Sequence, residues 1–446
     1  MHPVSVTRDD EPAVAARHGG VSALRAMLCA ARADTLATFD AFAQALPALQ
    51  VPCDETLNPP LWELGHVGWF QTRWLERHPD WRLGVRADPA RPLRPARDPR
   101  ADACFDSTQV AHATRWRLAL PPLAALRAEL DAGLAATLDL LGTVEGDASD
   151  HTPDHTPGDT LYFFRLALLH EDMHHEAALY MGRALGVPMA DARWQPRGLG
   201  APAPALTLPA GRWCAGRDPG GPAAGFAFDN ELGTHEVELP AADIDAQVLR
   251  WAEYLPFVEA GGYTQARHWT PEGWAWLHGP ARRWRALAAA GASAAEPPVP
   301  GDETGPVPRY LRRRGPHWHS WCDGRWQRLD LQEPACHLSY HEAQAWCTWA
   351  GRRLPTEHEW ERAACTHPGA FTWGDVWEWT ASPFRPYPGF TAHPYREYSA
   401  PWFDGRPVLR GASCLTQPRL REVHYRNYFT ADRHDVPAGF RTCALG

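Results

Sequence analysis

The stretch YFFRLALLHEDMHHEAALYMGRALG, from Tyr162 to Gly186, constrains the fold of this chain more than any other. Its apolar residues recur at three- and four-residue spacing, which predicts a helix. The run LALLH that ends at His170 is apolar on every side, and a helix of that kind must be covered by other elements. His170 and His174 lie one turn apart and project from one face, toward the interior of whatever encloses them. Two interior imidazoles that can share a metal ion call for facing helices to complete the ligand set. His175 is rotated by about 100° from His174 and cannot join them easily. It pairs instead with Glu171 at i,i+4, read as a support or surface contact, while Glu176 is placed to orient a ligand imidazole from behind.

Three more segments carry the helical period. VSALRAMLCAARADTLATFDAFAQAL begins at Val21, NPPLWELGHVGWFQTRWLERHP opens with prolines at helix-start positions, and PPLAALRAELDAGLAATLDLLGTV is the third. Four helices with connections of varied length predict a bundle over residues 21–195, after a disordered segment over 1–20. The polar insert Glu145–Thr160, with its doubled DHTP, reads as a solvated loop. The best further ligand is His66, which stands among Trp62, Trp69 and Phe70. Three neutral imidazoles leave metal positions open, which suits a non-heme iron(II) that binds substrate and O₂ together. HEDMH also fits H-E-x-x-H, where Glu171 would be the base of a zinc hydrolase. The metzincin extension needs Gly and His where Ala177 and Tyr180 stand, but another zinc hydrolase remains open from these residues.

Beyond the Pro/Gly/Ala-rich linker around Gly198–Ala205 the character changes. Short strand-like pieces and turns predominate, with two clear helices. Both begin in capping boxes, Ser339 with Glu342 and Thr356 with Glu359, and Gly351 closes the first. Inside this half, residues 281–320 read as a long Ala/Pro/Arg insert in which Arg312, Arg313 and Arg314 form a solvated turn. The 446 residues carry a net charge of −9, which argues against nucleic acid and against an acidic membrane surface as partners. No apolar run is long enough to span a bilayer, and residues 1–20 lack the core of a secretory signal, so a cytoplasmic protein is expected. Ten cysteines without a C-x-x-C pair fit reduced thiols. The 22 tryptophans supply enough rigid aromatic surface for a pocket that takes a flat or cationic ligand.

The pair LWELGHVGWF and HEDMHHE resembles the DinB-like bundle of the ergothioneine-pathway sulfoxide synthases (EgtB-like enzymes). The second half resembles the formylglycine-generating-enzyme, or sulfatase-modifying, fold related to C-type lectins. The matching pieces are FAFDNELGTHEVELP, FVEAGGY, LSYHEAQAWCTWAGRRLPTEHEWERAA, DVWEWTASPF, VLRGASC and YRNYFTADRHDVPAGFRT. The resemblance implies an α+β protein: a DinB-like four-helix bundle over 21–195, then a C-type-lectin-like domain with few regular elements over 196–446. It implies iron(II) on His66, His170 and His174, with O₂ and hercynine, the trimethylated betaine of histidine, as substrates. Trp377, Trp379, Arg426, Asn427 and Tyr428 would line the hercynine side of the cleft, where an aromatic wall suits a trimethylammonium group. Tyr387, in PYPGF, is the expected proton donor.

Departures bear on the nucleophile. Met173 replaces a glutamine of many relatives, and Phe429 stands where some carry an acidic residue for the thiol substrate's amine. The paired arginines for a peptide carboxylate have no clean counterpart; Arg115 and Arg117 stand in their region, and Arg115 is the expected donor contact. These differences, with NPPLWELGHVGWFQ, FDSTQV and LHEDMHHEA, are most similar to the selenoneine synthase branch (SenA). That branch implies a selenosugar donor and a C–Se bond on hercynine, the alternative being a C–S bond from cysteine or γ-glutamylcysteine. Formylglycine generation itself is not expected, because only Cys414 follows the RGAS motif closely.

Overall fold

A computed structural model describes residues 11–147, 160–218, 225–279, 302–303 and 307–445. Among the described residues six α-helices lie in the first half: α1 (Glu11–His18), α2 (Val21–Ala45), α3 (Pro60–Trp74), α4 (Ala101–Phe105), α5 (Leu123–Asp147) and α6 (Tyr162–Leu185). The bundle forms from α2, α3, α5 and α6, as the periodicity predicts. In α6 every residue from Tyr162 to Asp172 is buried, which is the fate of a helix apolar on all sides. It ends where Gly186 takes the left-handed conformation at φ 70°, a conformation glycine adopts without a Cβ penalty. Prolines 59 and 60 open α3, where a missing N–H leaves no intrahelical bond unmade.

The short α4 lies against α3 through one close approach. A Cβ on Gly65 would stand 2.2 Å from the Phe105 ring, so only glycine lets the two helices meet. At that contact the terminal carbonyls of α4, which have no intrahelical partner, accept from α3: Trp62 Nε1 donates to Cys104 O at 2.8 Å and His66 to Phe105 O at 2.8 Å.

The described residues of the second half form short strands around four α-helices. Strands β1 (Leu206–Leu208), β2 (Gly211–Ala215), β3 (His235–Leu239) and β4 (Ala242–Ile244) precede α7 (Trp251–Glu259) and α8 (Pro271–His278). Then come β5 (Asp302–Glu303), β6 (Leu311–Arg314), β7 (His317–Cys322), β8 (Arg325–Arg328), α9 (Tyr340–Ala350), β9 (Arg352–Arg353) and α10 (Glu357–Thr366). The chain closes with β10 (Trp377–Pro383), β11 (Pro407–Gly411), β12 (Asn427–Tyr428), β13 (Ala438–Gly439) and β14 (Cys443–Ala444). The final strand β14 lies between β4 and β9, so the chain's last residues complete a sheet begun near residue 206. A second sheet runs β12-β11-β10-β13, antiparallel except where β10 meets β13. Both expected capping boxes are present, with Ser339 and Thr356 each accepting from the third residue of the helix.

Four expectations change. Residues 11–18 of the segment read as disordered form α1, because Ala13, Ala16 and Arg17 are buried and the Arg17 guanidinium pairs with Glu231 at 2.8 Å. Arg312, Arg313 and Arg314 lie in β6 rather than in a turn, and two of them cover indoles: Arg312 over Trp326 and Arg313 over Trp318. Two helices beyond the capped pair appear: α7, whose Pro256 masks its signal, and the short α8, capped by Thr270. The i,i+4 pair Glu171 and His175 is neither a mutual contact nor on the surface, since each is buried against another helix. The doubled DHTP falls outside the described residues. All ten cysteines are free thiols, and no helix among the described residues is long and apolar enough to cross a membrane.

Candidate metal centre

His66 on α3 and His170 and His174 on α6 converge in the bundle. Their ring centroids are 5.3 Å (His66–His170), 4.8 Å (His66–His174) and 4.5 Å (His170–His174) apart. One ring nitrogen from each lies within 4.8 Å of the other two, the only such grouping of potential ligands among the described residues. Small side-chain rotations bring such a set to the about 2.0–2.1 Å at which imidazole binds a metal. Second partners fix the rings. The His66 Nδ1–H donates to Phe105 O at 2.8 Å, and His174 Nδ1 lies 2.6 Å from the Glu63 carboxylate. Both contacts leave Nε2 turned to the common centre, the arrangement that carboxylates and carbonyls impose on ligating histidines.

The electrostatics favour neutral rings. Burial, then His174, pushes His66 down to about 3, and burial holds His170 well below its usual value. Burial alone would raise the Glu63 carboxyl, but His174 at contact distance, with His66 and Arg115 farther out, keeps it below the ordinary carboxylate range. An ionised Glu63 facing two neutral, buried imidazoles offers a cation both ligands and compensating charge. These residues fit a divalent metal. His66 and His170 are each 3% exposed, whereas the His174 side chain is 23% exposed, so the centre opens on the His174 side.

Aromatic rings wall the other directions. Phe70 stacks on His170 at 3.5 Å and Trp62 on His66 at 4.8 Å. From the second half Tyr395 meets Phe70 edge-on at 4.8 Å and His170 at 6.0 Å. Behind it, Tyr398 donates to the Tyr425 hydroxyl at 2.9 Å, Tyr425 donates to the Met173 sulfur at 3.3 Å, and Trp377 packs 5.5 Å from Tyr425.

Of the residues expected on the hercynine side, Trp377 stands at this wall, its indole N–H donating to Glu176 at 2.8 Å. Trp379 does not: it donates to Leu338 O at 2.7 Å and packs against Tyr340, 5.8 Å away. Arg426 is also held elsewhere, in a two-pronged pair with Glu357 at 2.8 and 3.0 Å. Tyr387 donates to the same Glu357 at 3.0 Å and stacks under Arg426 at 3.9 Å. Its neighbours are therefore a buried ion pair and not the imidazole cluster; the tyrosine beside the cluster is Tyr395. Asn427 and Tyr428 form β12, with Tyr428 stacked on Phe384 at 4.1 Å. Phe429 lies beneath the Arg433 guanidinium, 4.9 Å away. Arg115 bonds Asn58 at 2.8 Å and covers Trp62 at 3.7 Å.

Two roles read from the helix are reassigned. Glu176 does not support a ligand imidazole: its carboxylate accepts from Trp377, Ser413 and Thr416 of the second half. Glu63 does that work, and its signal was its place three residues before His66, on the same face of α3. Glu171, the base a zinc hydrolase would need, accepts from Arg32 at 2.9 and 3.2 Å and faces away from the cluster. Tyr395, in PYREYS, carried no local signal.

Residues 27–178 match the DinB superfamily and residues 197–375 the sulfatase-modifying factor enzyme 1-like domain. The chain is similar to the hercynine oxygenase of Mycolicibacterium smegmatis, 30% identical over 86% of this chain and 90% of that protein. It is 29% identical to the hercynine oxygenase of Mycobacterium tuberculosis over 93% of this chain and 96% of the relative. The formylglycine-generating enzyme of Streptomyces coelicolor aligns at 30% identity, but over only 38% of this chain. Because the alignment to hercynine oxygenases runs through both the bundle with its imidazoles and the sheet-rich half, the chain belongs to the hercynine oxygenase family.

Proposed function

We propose that the chain joins a thiol to the imidazole carbon of hercynine with O₂, using iron(II) held by His66, His170 and His174. The balance is simple: hercynine's ring C–H and the thiol S–H are replaced by a C–S bond, and sulfur takes one oxygen atom as a sulfoxide. The other oxygen atom leaves as water, so O₂ accepts four electrons in all. Bound iron would supply the redox coupling between O₂ and the sulfur, and the chain supplies position and charge. The observation that carries this reading is three convergent imidazoles with one open side beneath an aromatic wall, in a chain aligned over 86% of its length with a hercynine oxygenase.

Tyr395, Tyr398, Tyr425 and Trp377 offer ring faces to a trimethylammonium group. Tyr395, whose ring meets His170, is the proton donor of this reading, and burial raises its pKa so that it stays protonated and able to donate. A second reading changes only the donor, to a selenosugar giving a C–Se bond. Its support is that Phe429 presents a ring under Arg433 and no carboxylate for a donor amine.

The experiment is to load the protein with iron(II) without oxygen, add hercynine, admit air and identify products by mass spectrometry. Cysteine, γ-glutamylcysteine and a 1-selenosugar are supplied separately. Oxygen uptake with a thiol adduct supports the first reading, and an adduct only with the selenosugar supports the second. Hydrolysis without oxygen uptake would overturn both. His170→Ala is expected to lose metal loading and turnover together.

A further inference from the structure

Arg115 touches both arms of the metal centre without reaching the imidazoles themselves. On one side its Nη1 donates to the Asn58 side-chain oxygen at 2.8 Å, and the Asn58 amide donates to Glu63 Oε1 at 2.5 Å. The other Glu63 oxygen lies 2.6 Å from His174 Nδ1. On the other side the Arg115 guanidinium covers the Trp62 ring at 3.7 Å, and the far face of that indole stacks on His66 at 4.8 Å with planes 10° apart. Trp62 is itself anchored, its N–H donating to Cys104 O. One cation thus closes two supports that end on different ligands, borne by different helices.

We infer that Arg115 is a positioning residue of the metal centre, locking His174 through Asn58 and Glu63 and His66 through Trp62. The physical argument is geometric. A carboxylate that orients a ligand imidazole does so only while its own second oxygen is held, and Asn58 is the group that holds it. Asn58 in turn has a free choice of amide rotamer until Arg115 takes its oxygen, because only the N–H₂ end can donate to Glu63. A planar guanidinium can make that hydrogen bond and stack on an indole at the same time, which an ammonium cannot. Loss of such supporting contacts costs about 10–100-fold in metal affinity where it has been measured.

This inference rests on the metal reading above but not on any substrate, and metal binding alone tests it. The affinity of the intact metal-free protein for cobalt(II) and iron(II) is measured by competition with a chelator. The ferrous nitric oxide complex is compared by electron paramagnetic resonance. Arg115→Ala and Asn58→Ala are each expected to weaken metal binding about ten-fold and to broaden the resonance as the imidazoles gain freedom. Arg115→Lys should rescue poorly, because it restores charge without the fork or the stack. In the pair Arg115→Ala with Glu63→Gln the losses should fall short of additive, since both variants break one path. Asn58→Ala keeps the stack on Trp62 and tests the hydrogen-bonded path even if Arg115→Ala does not fold. Unchanged metal affinity in Arg115→Ala and Asn58→Ala, with only a raised KM for the nucleophile, would overturn the inference and make Arg115 a substrate contact. A wild-type chain that binds neither ion would instead overturn the metal reading itself.

Discussion

Tyr395 and Tyr387 separate two jobs that one residue type can do. Tyr395 meets the His170 ring edge-on, and Tyr395→Phe is expected to lower turnover by about 10²–10⁴-fold, the usual worth of a positioned acid. Metal affinity in that variant should be unchanged. Tyr387 donates its hydroxyl hydrogen bond to Glu357, which Arg426 also holds. Tyr387→Phe should therefore cost about 1 kcal/mol of unfolding free energy and leave turnover per folded molecule intact. Steady-state kinetics and urea unfolding on the two variants check both statements, and equal kinetic losses would remove Tyr395 from its role. The three imidazoles were legible because helical spacing fixes which face His170 and His174 share and because aromatic neighbours place His66 inside. Tyr395 was not, since it lies on a loop whose position depends on how the second half packs against α6. Glu63 lay between: its spacing to His66 is visible in the sequence, but its partner, His174, becomes visible only when α3 and α6 face each other.

Helix α6 is held to the second half by polar groups as well as by rings. Asp172 receives two hydrogen bonds from Arg419, at 2.7 and 3.0 Å, and both side chains are largely buried. Arg419→Ala leaves that carboxylate buried without its partner and is expected to cost about 3–5 kcal/mol, read as a lower urea midpoint. Two histidines at the same junction give it a pH dependence. His175 sits between Thr38 and Gln417, and His393 contacts the Tyr162 hydroxyl; burial pushes each down to about 4. The unfolded chain takes up those protons below about pH 6.5, while the folded chain refuses them until about pH 4. The stability they contribute is thus fully present above pH 6.5 and is lost as pH falls toward 4, on the order of 3 kcal/mol apiece. His393→Gln should flatten the dependence of the urea midpoint between pH 6.5 and 4, and a slope identical to wild type would contradict the assignment. The long helices of the first half could be read from their period alone, whereas β5–β8 could not. Arg312 and Arg313 look solvated in a one-dimensional pattern because their partners, the indoles of Trp326 and Trp318, are supplied by other strands of the sheet, whereas Arg314 is indeed exposed.

The two halves form one structure around the centre. Among the described residues the Glu176 carboxylate on α6 accepts from Trp377, Ser413 and Thr416, so a chain ending at residue 195 would lose those donors and expose the face of α6 that they cover. Such a fragment is expected to show weak near-ultraviolet circular dichroism and to bind hydrophobic dye, whereas the whole chain should unfold in one transition. Metal should raise that transition, by about 2.7 kcal/mol at a free concentration one hundred times the dissociation constant, and His170→Ala should abolish the increase. Helix α1 has a mechanical consequence. Its Arg17 is bonded to Glu231 and to the Phe226 carbonyl, so α1 adds a further tie between the two halves to those that Asp172 and Glu176 make. A clamshell fastened at several separated points resists the swing that a single hinge allows. The expectation is that ligands come and go beside His174 without a swing of the halves, and spin labels placed across them should report the same separation with and without hercynine.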